Sequence, residues 1–240
     1  MSMEALRASG GILFLLLVTG LAIGFFDRDR FRPGWLLVAI LLVFVNDALL
    51  TGVYGNLPDL LPSAQWNWQG KLTALTATLA IAASPAIGWR NIGLTFVQRQ
   101  GSLKTALPVS AAYILFFLLL AVAFPSGPAS EETIAFQLSM PSLEEEIFYR
   151  GLLLFVLDRA FTGRVAFLGV HWGWGALISS ALFGLAHSIS YSEGAFHFEV
   201  AIMALTAIPS LLGVWLRLRT GSLLLPILLH TIGNSASFLV

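Results

Sequence analysis

The sequence contains no cysteine and few charged residues, and both shortages restrict the classes of protein to which it can belong. Without cysteine, disulfide bonds and thiolate metal sites are excluded. Charged residues make up 11% of the 240-residue chain, against about 25% in an average soluble domain. Because 57% of the residues are hydrophobic and the mean hydropathy is +0.84, the chain cannot cover a water-facing surface. We therefore expect a lipid bilayer as its solvent.

The few charges are balanced, with 13 basic and 13 acidic residues and a formal net charge of zero. Binding to nucleic acid depends on basic side chains that neutralise phosphates. Since this chain has no basic excess, we expect no nucleic-acid partner. The composition instead indicates the lipid bilayer as a partner.

Eight apolar segments approach the roughly 20 residues that a transmembrane helix needs. The first is not expected to be a cleaved signal peptide, because no small-residue cleavage site follows it and Asp27–Arg30 is charged. The pattern predicts an all-α, polytopic transmembrane helix bundle of about eight spans, forming a single domain over residues 1–240. The segments lie at 10–26, 34–54, 70–88, 105–125, 142–161, 172–190, 198–216 and 221–239.

The basic residues are distributed unevenly between the two ends of these segments. If all eight segments span, ten basic residues fall on one side, only Arg7 and Lys71 on the other, and Arg150 lies within segment five. Because basic loops tend to stay in the cytoplasm, this distribution predicts eight spans with both termini outside. The ten residues are Arg28, Arg30, Arg32, Arg90, Arg99, Lys104, Arg159, Arg164, Arg217 and Arg219.

The fifth segment opens with three glutamates, Glu144, Glu145 and Glu146. Glu146 and Arg150 are four residues apart, so on a helix they share a face and can form an ion pair. A carboxylate inside hydrocarbon costs about 2.5–3.5 kcal/mol even on the lenient insertion scale, so an interior or aqueous cavity is needed. The alternative is that the glutamates only cap the helix at the membrane surface.

Segments six and eight add polar side chains to otherwise apolar helices. His187 ends segment six, while His230 and Asn234 lie four residues apart on one face of segment eight. Taken separately, each could serve only as a hydrogen-bonding group in helix packing. Asn46 and Asp47, in segment two, are expected to have such a structural role with a buried partner.

Together, the polar residues of segments five, six and eight predict a polar cavity within the apolar bundle. A carboxylate beside an imidazole can act as a general base that activates water. A second histidine and an asparagine can donate hydrogen bonds to a developing oxyanion. These groups are the ones required to hydrolyse an acyl bond, although the same cluster could also relay protons in a transporter.

Three motifs resemble the signature of the CAAX-protease and bacteriocin-processing family, which includes the type II CAAX prenyl endopeptidases. Their order and spacing match, and the motif-bearing part of the chain is about 141–240. The resemblance implies an intramembrane endopeptidase that acts near the C-terminus or a membrane-proximal part of a peptide or of a lipidated or anchored protein. The motifs are Glu145-Glu146-x-x-x-Arg150, Phe183-x-x-x-His187 and His230-x-x-x-Asn234.

The resemblance also implies a role for each acidic and basic residue of the motifs. Glu145 would activate the attacking water with assistance from His187, and Glu146 would pair with Arg150 and hold the helix in place. Glu144 extends the usual acidic pair and makes the register ambiguous. The spacing to Arg150 favours Glu145 as the base.

In the same resemblance, His230 and Asn234 would stabilise the oxyanion and Phe183 would shape the pocket. Two mechanisms remain open. A divalent metal such as zinc could be held by Glu145, His187 and His230, since a catalytic zinc takes three protein ligands and a water. The alternative uses no cofactor, and it is favoured because Asn234 is a poor zinc ligand but a good donor.

The functional alternative to a protease is a non-enzymatic membrane immunity or scaffold protein that keeps the polar cluster for packing. The compact chain suggests a prokaryotic relative in the cell (inner) membrane. The predicted orientation places the polar cluster toward the outer face, whereas prenyl proteases act on cytosolic substrates. Either the protein processes an exported C-terminal sorting anchor, resembling the myxosortase branch, and not a CAAX substrate, or the count of spans is off by one.

Overall fold

The computed structural model describes residues 2–238, which form a helical bundle with two small β-hairpins. The first half of the chain contains α1 (Ser2–Phe26), α2 (Pro33–Leu50), the short α3 (Gly52–Gly55), α4 (Trp68–Ala82) and α5 (Leu103–Ala123). The second half begins with α6 (Glu131–Gln137) and α7 (Met140–Glu145), continues through a π-helix (Glu146–Leu153) and reaches α8 (Leu154–Ala160). It ends with α9 (Trp174–Ser188), α10 (Val200–Thr220) and α11 (Leu224–Ser235).

Every predicted apolar segment coincides with a helix, but the helices differ in their capacity to cross a membrane. Four helices are long and apolar enough to be candidate spans, so the membrane-helical class agrees with the prediction while the count of eight remains a prediction. The last predicted segment also includes residue 239, which lies outside the described residues. The four candidate spans are Met3–Phe26, Pro33–Leu50, Leu103–Ala123 and Val200–Thr220.

The remaining helices are shorter than the apolar segments that predicted them. Helices α4 and α9 have 15 residues each and α11 has 12. At 1.5 Å per residue, 15 residues extend only about 22 Å, less than the hydrocarbon core of a bilayer. In segment three the helix ends at Ala82, and Ser84-Pro85 lies in the turns that follow.

Two antiparallel hairpins were not expected from the all-α prediction. Strand β1 (Val165–Phe167) pairs with β2 (Val170–Trp172), and β3 (Ile189–Ser192) pairs with β4 (Ala195–Phe198). Each hairpin turns at a glycine with positive φ, 73° at Gly169 and 83° at Gly194, a conformation in which a side chain would be strained. The hairpins fill the connections on either side of α9, so the spans themselves are still helical.

The continuous stretch from α7 through the π-helix to α8 forms the centre of the bundle. Phe148, Leu152, Leu153 and Leu157 on this stretch are almost completely buried and belong to the main hydrophobic core. A helix that is buried on all sides is typical of a bundle interior. The segment that carries the glutamates is therefore surrounded by protein, which is the environment that buried carboxylates require.

The outer helices expose a wide apolar surface. On α5, for example, Leu115, Phe116, Leu119 and Val122 are each about half exposed or more. Soluble monomers rarely expose contiguous apolar patches of more than a few hundred Å². Together with the four candidate spans, this surface identifies an integral membrane protein.

Candidate active site

The three consecutive glutamates at the junction of α7 and the π-helix point in different directions. Successive side chains on a helix are about 100° apart, so three neighbouring residues do not all face the same partner. Glu144 and Glu145 both reach Lys71 on α4, and Glu146 lies against Arg150 one turn later. π-Helical turns are often found at functional sites, and this one begins at Glu146.

The two carboxylate oxygens of Glu145 differ in their hydrogen bonding. Its Oε1 accepts a hydrogen bond of 2.7 Å from Nζ of Lys71. Its Oε2 is buried and, among the described residues, has no hydrogen-bond partner. That oxygen lies 3.9 Å from Nε2 of His187 and 3.7 Å from Nε2 of His230. These separations are too long for direct hydrogen bonds and suit a bridging water.

The outer hydrogen bonds of the two histidines define their tautomers. His187 donates from Nδ1 to the carbonyl oxygen of Phe183 at 2.7 Å, and His230 donates from Nδ1 to Oε1 of Glu146 at 2.7 Å. Since a carbonyl and a carboxylate oxygen only accept, Nδ1 carries the proton in both rings. In the neutral rings, Nε2 is therefore the acceptor that faces Glu145.

Arg150 and Glu146 form a second charged group, next to the one formed by Lys71 and the other two glutamates. Nη1 of Arg150 lies 3.0 Å from Oε1 of Glu146, and both side chains are buried, in agreement with the predicted pair. The guanidinium also lies over the ring of Phe183, with 4.0 Å from Cζ to the ring centroid. Phe183 in turn makes an edge contact with His230. Glu146 thus binds Arg150 and His230 through a single oxygen, which links α11 to the central helix.

Two cavities flank this cluster, and His187 lines both of them. The first, of about 200 Å³, lies between α1, α2, α4 and α9 and includes Asp47, Lys71, Glu144 and Glu145 among its lining residues. The second, of about 160 Å³, lies between α5, α9, α10 and α11. Its polar lining consists of Glu146, Arg150, His187, His230 and Asn234, together with Tyr113, Thr206 and Ser210. All six predicted catalytic residues therefore border one cavity or the other.

Lys71 is a member of this cluster that the sequence interpretation missed. We had counted it among the basic residues of the outer side, but it lies within α4 and its side chain is 13% exposed. It bonds to two carboxylates that are more than 70 residues away in the sequence. Its position inside an apolar segment was the available signal, because a lysine in a predicted span needs an interior partner. If Lys71 is left out of the count, ten basic residues lie on one predicted side of the membrane and only Arg7 lies on the other.

Asp47 has the buried partners that we expected for an acid inside a span. Its Oδ2 accepts hydrogen bonds from the hydroxyls of Ser9 and Tyr54, the latter at 3.0 Å. Asp47 also lines the first cavity, opposite Lys71 and Glu145. Its carboxylate therefore adds negative charge to the environment of the glutamates.

The eight-span topology derived from the basic residues stays a prediction, and one group of contacts can be compared with it. That topology places the starts of segments three and five and the end of segment six at the same membrane face. Lys71, Glu145 and His187 come from those three places, and the structure brings them together.

The metal-binding role considered for Glu145, His187 and His230 stays a prediction. Among the side chains that the structure describes, no group of three or more His, Asp or Glu residues is placed to hold a metal ion. One oxygen of Glu145 is occupied by the ammonium of Lys71, which would repel a second cation. Each histidine has Nε2 facing Glu145 and uses Nδ1 as a donor, an arrangement that metal-ligating histidines also have.

Comparison with known proteins identifies the family. Residues 113–236, slightly more than half of the chain, match a family model described as Type II CAAX prenyl endopeptidase Rce1-like. Searches of curated proteins and of solved structures find no match. The matched range includes all six predicted catalytic residues but neither Lys71 nor Asp47. With its exposed apolar helices and its match over half its length, the chain belongs to the Rce1-like family of type II CAAX prenyl endopeptidases, a family of membrane proteases.

Proposed function

We propose that the protein is an intramembrane endopeptidase in which Glu145 activates the attacking water. The observation that carries this proposal is the free, buried Oε2 of Glu145, which faces Nε2 of His187 and His230 at 3.9 and 3.7 Å. A water between Oε2 of Glu145 and Nε2 of His187 would have two acceptors for its protons and a free lone pair, while His230 would keep Nε2 for the oxyanion. General-base activation requires this geometry.

The proposed hydrolysis can be described by its successive proton transfers. Glu145, assisted by His187, takes a proton from the water while the water oxygen forms a bond to the carbonyl carbon of the scissile peptide. The carbonyl oxygen becomes an oxyanion, which Asn234 and His230 stabilise as donors from the second cavity. The proton then passes to the peptide nitrogen as the carbon–nitrogen bond breaks, which yields an amine and a carboxylic acid that then loses its own proton to water.

The ion pair between Glu146 and Arg150 supports the role of His230 as a donor to the oxyanion. His230 can donate from Nε2 only when its ring carries both protons, because Nδ1 already donates to Glu146. The Glu146 carboxylate is the counter-ion of that form, and Arg150 keeps the carboxylate in place. Glu146 and Arg150 therefore orient His230 and do not contact the substrate.

We also propose that the reaction uses no metal. Lys71 supplies the positive charge next to Glu145, and Asn234 is suited to donate a hydrogen bond but not to bind zinc. The non-enzymatic immunity or scaffold role that the sequence left open is not favoured, since the family is one of proteases. A transporter is likewise not favoured.

Cleavage of membrane-tethered peptides tests the proposal directly. We expect the purified protein in detergent to cut some members of a panel of peptides with C-terminal or membrane-proximal cleavage sites. A strong chelator should not change the rate. Loss of cleavage with chelator, and its recovery with zinc, would overturn the metal-free mechanism while retaining the protease. Proton-coupled flux in liposomes without any cleavage would favour the transporter instead.

The substrate is proposed to be a peptide or protein with a C-terminal or membrane-proximal site, such as an exported sorting anchor, at a prokaryotic cell membrane. This depends on the orientation predicted from the basic residues, which puts the glutamates near the outer face. Single-cysteine labelling tests it cleanly, because the chain contains no native cysteine.

We expect Ser126→Cys, in the exposed connection after α5, to react with an impermeant maleimide added outside the cell. Gln100→Cys is the matched control, because it is also exposed but lies on the opposite side in the predicted topology. It should react only after the membrane is permeabilised. The reverse labelling pattern would place the site on the cytoplasmic side and would favour a cytosolic substrate.

A further inference from the structure

We propose that Lys71 is a positioning residue for the hydrolytic reaction, which orients Glu145 and neutralises the neighbouring Glu144 so that Glu145 stays available as the base. This inference rests on the proposed function, in which Glu145 activates water. It adds a residue from α4, outside the range that matches the family. The site then depends on a helix from the first half of the chain as well as on the three motifs.

The first argument is geometric. Nζ of Lys71 lies 2.7 Å from Oε2 of Glu144 and 2.7 Å from Oε1 of Glu145, so a single ammonium bridges two adjacent carboxylates. Because Oε1 of Glu145 is held in this way, the carboxylate plane is fixed. Its other oxygen, Oε2, is directed toward the two histidines and away from Lys71. The lysine thus determines which oxygen of Glu145 meets the water.

The second argument is the balance of charge. Three glutamates are buried side by side, and Arg150 pairs with only one of them, Glu146. Within the described part of the chain, Lys71 is the only lysine or arginine in contact with Glu144 or Glu145. The side chain of Glu144 is 0% exposed, so water cannot replace the lysine as its partner. Removing the ammonium would leave two adjacent carboxylates that cannot both remain ionised at low cost.

The third argument is that the start of α4 is held firmly enough to place the lysine. Asn67 caps the helix by accepting from the backbone N–H of Gly70, and its amide donates to the carbonyl of Leu50 on α2. A Cβ at Gly70 would lie 2.4 Å from that carbonyl oxygen, so only glycine permits this close approach of α4 to α2. Lys71 follows directly, and its direction is therefore defined by the backbone.

The protonation of Glu145 depends on groups from several elements, and each must be considered when the pH dependence is measured. Four of the titratable groups around Glu145 lie on the central helix that carries it, and α2, α4, α9 and α11 contribute one group each. These groups are Glu144, Glu146, Tyr149, Arg150, Asp47, Lys71, His187 and His230. Of these, Lys71 alone is a cation bonded to Glu145 through a hydrogen bond shorter than 3 Å.

The decisive experiment compares Lys71→Met with the double variant Lys71→Met/Glu144→Gln in full-length protein. We expect Lys71→Met to lower kcat by about 100-fold, with little change in KM and with its activity profile shifted to higher pH, in line with the loss of a positioned base. The double variant removes one negative charge together with the positive one. Its kcat should be at least about tenfold higher than that of Lys71→Met, and its pH profile should return toward that of the wild type.

Lys104→Met is the matched control, because Lys104 is the other lysine of the chain and is exposed on α5. It should leave kcat and its pH profile unchanged. If Lys71→Met keeps the wild-type kcat, or if Glu144→Gln gives no recovery in the Lys71→Met background, Lys71 has no positioning role.

A second readout separates failure of this proposal from failure of the proposed function, because it needs no turnover. Relative to wild type, infrared difference spectra of Lys71→Met should show a gain of protonated carboxyl absorption at neutral pH. The double variant should lose that gain. If no substrate is cut but the spectra behave as expected, the charge relation stands and the protease assignment fails. If cleavage is normal in wild type and the spectra of Lys71→Met are unchanged, the charge relation fails.

Discussion

Replacing Glu145 by Gln is expected to lower kcat by about 10²- to 10⁴-fold, the range by which a general base contributes to catalysis. The amide oxygen of Gln can still accept the hydrogen bond from Lys71, so the geometry of the cavity is retained. It cannot take a proton from water, however, and this is the role that the free Oε2 of Glu145 is proposed to fill. The measurement is kcat and KM on a peptide that the wild type cuts, alongside thermal unfolding in detergent.

Glu131→Gln is a suitable control for this experiment. Glu131 lies in the first turn of α6 and is exposed, so the same chemical change there should affect neither activity nor folding. A folded Glu145→Gln variant that cleaves at the wild-type rate would remove Glu145 from the mechanism. In that case Glu144, the other acid bonded to Lys71, would become the candidate base.

Replacing Arg150 by Met is expected to destabilise the protein by about 3–5 kcal/mol, the usual cost of removing one partner from a buried ion pair. Both Arg150 and Glu146 are about 3% exposed at the side chain, so the remaining carboxylate would have no access to bulk water. The loss should be seen as a lower unfolding midpoint in a denaturant titration of the detergent-solubilised protein. Activity should fall too, because Glu146 holds His230 through Nδ1.

The matched comparison is Arg90→Met, since Arg90 is exposed in the connection after α4. A surface change of this kind is usually within about 0.5 kcal/mol of neutral. The double variant Arg150→Met/Glu146→Gln should recover part of the stability, because it removes the unpaired charge. If Arg150→Met unfolds at the same midpoint as the wild type, the ion pair does not stabilise the fold, and its role is restricted to orienting His230.

The structure also shows how one short helical segment can serve two parts of a site. Glu145 faces the water position through Oε2, while its neighbour Glu146 faces the opposite cavity and supports the oxyanion donor His230. The separation follows from the rotation of successive side chains around a helix axis. Two adjacent carboxylates can therefore have different tasks because they have different partners, Lys71 for one and Arg150 for the other.

The sequence by itself determined the class of the protein and the identity of the motifs. The shortage of charge and the long apolar runs predicted a membrane helix bundle, and the positions of all eight apolar segments agree with helices. Hydropathy is a property of neighbouring residues, so it can be read locally. The spacing between Glu146 and Arg150 is local as well, and it predicted their ion pair.

The tertiary structure alone decided which distant groups meet. Lys71 lies 74 residues before Glu145, and nothing in the spacing relates the two. The ends of the short helices α4, α9 and α11 could not be placed from hydropathy, since apolar residues continue past each helix end into turns, a strand or a 3-10 helix. Helix packing brings four segments to one point, and the partners of a buried charge depend on that packing because protein, not water, must neutralise it.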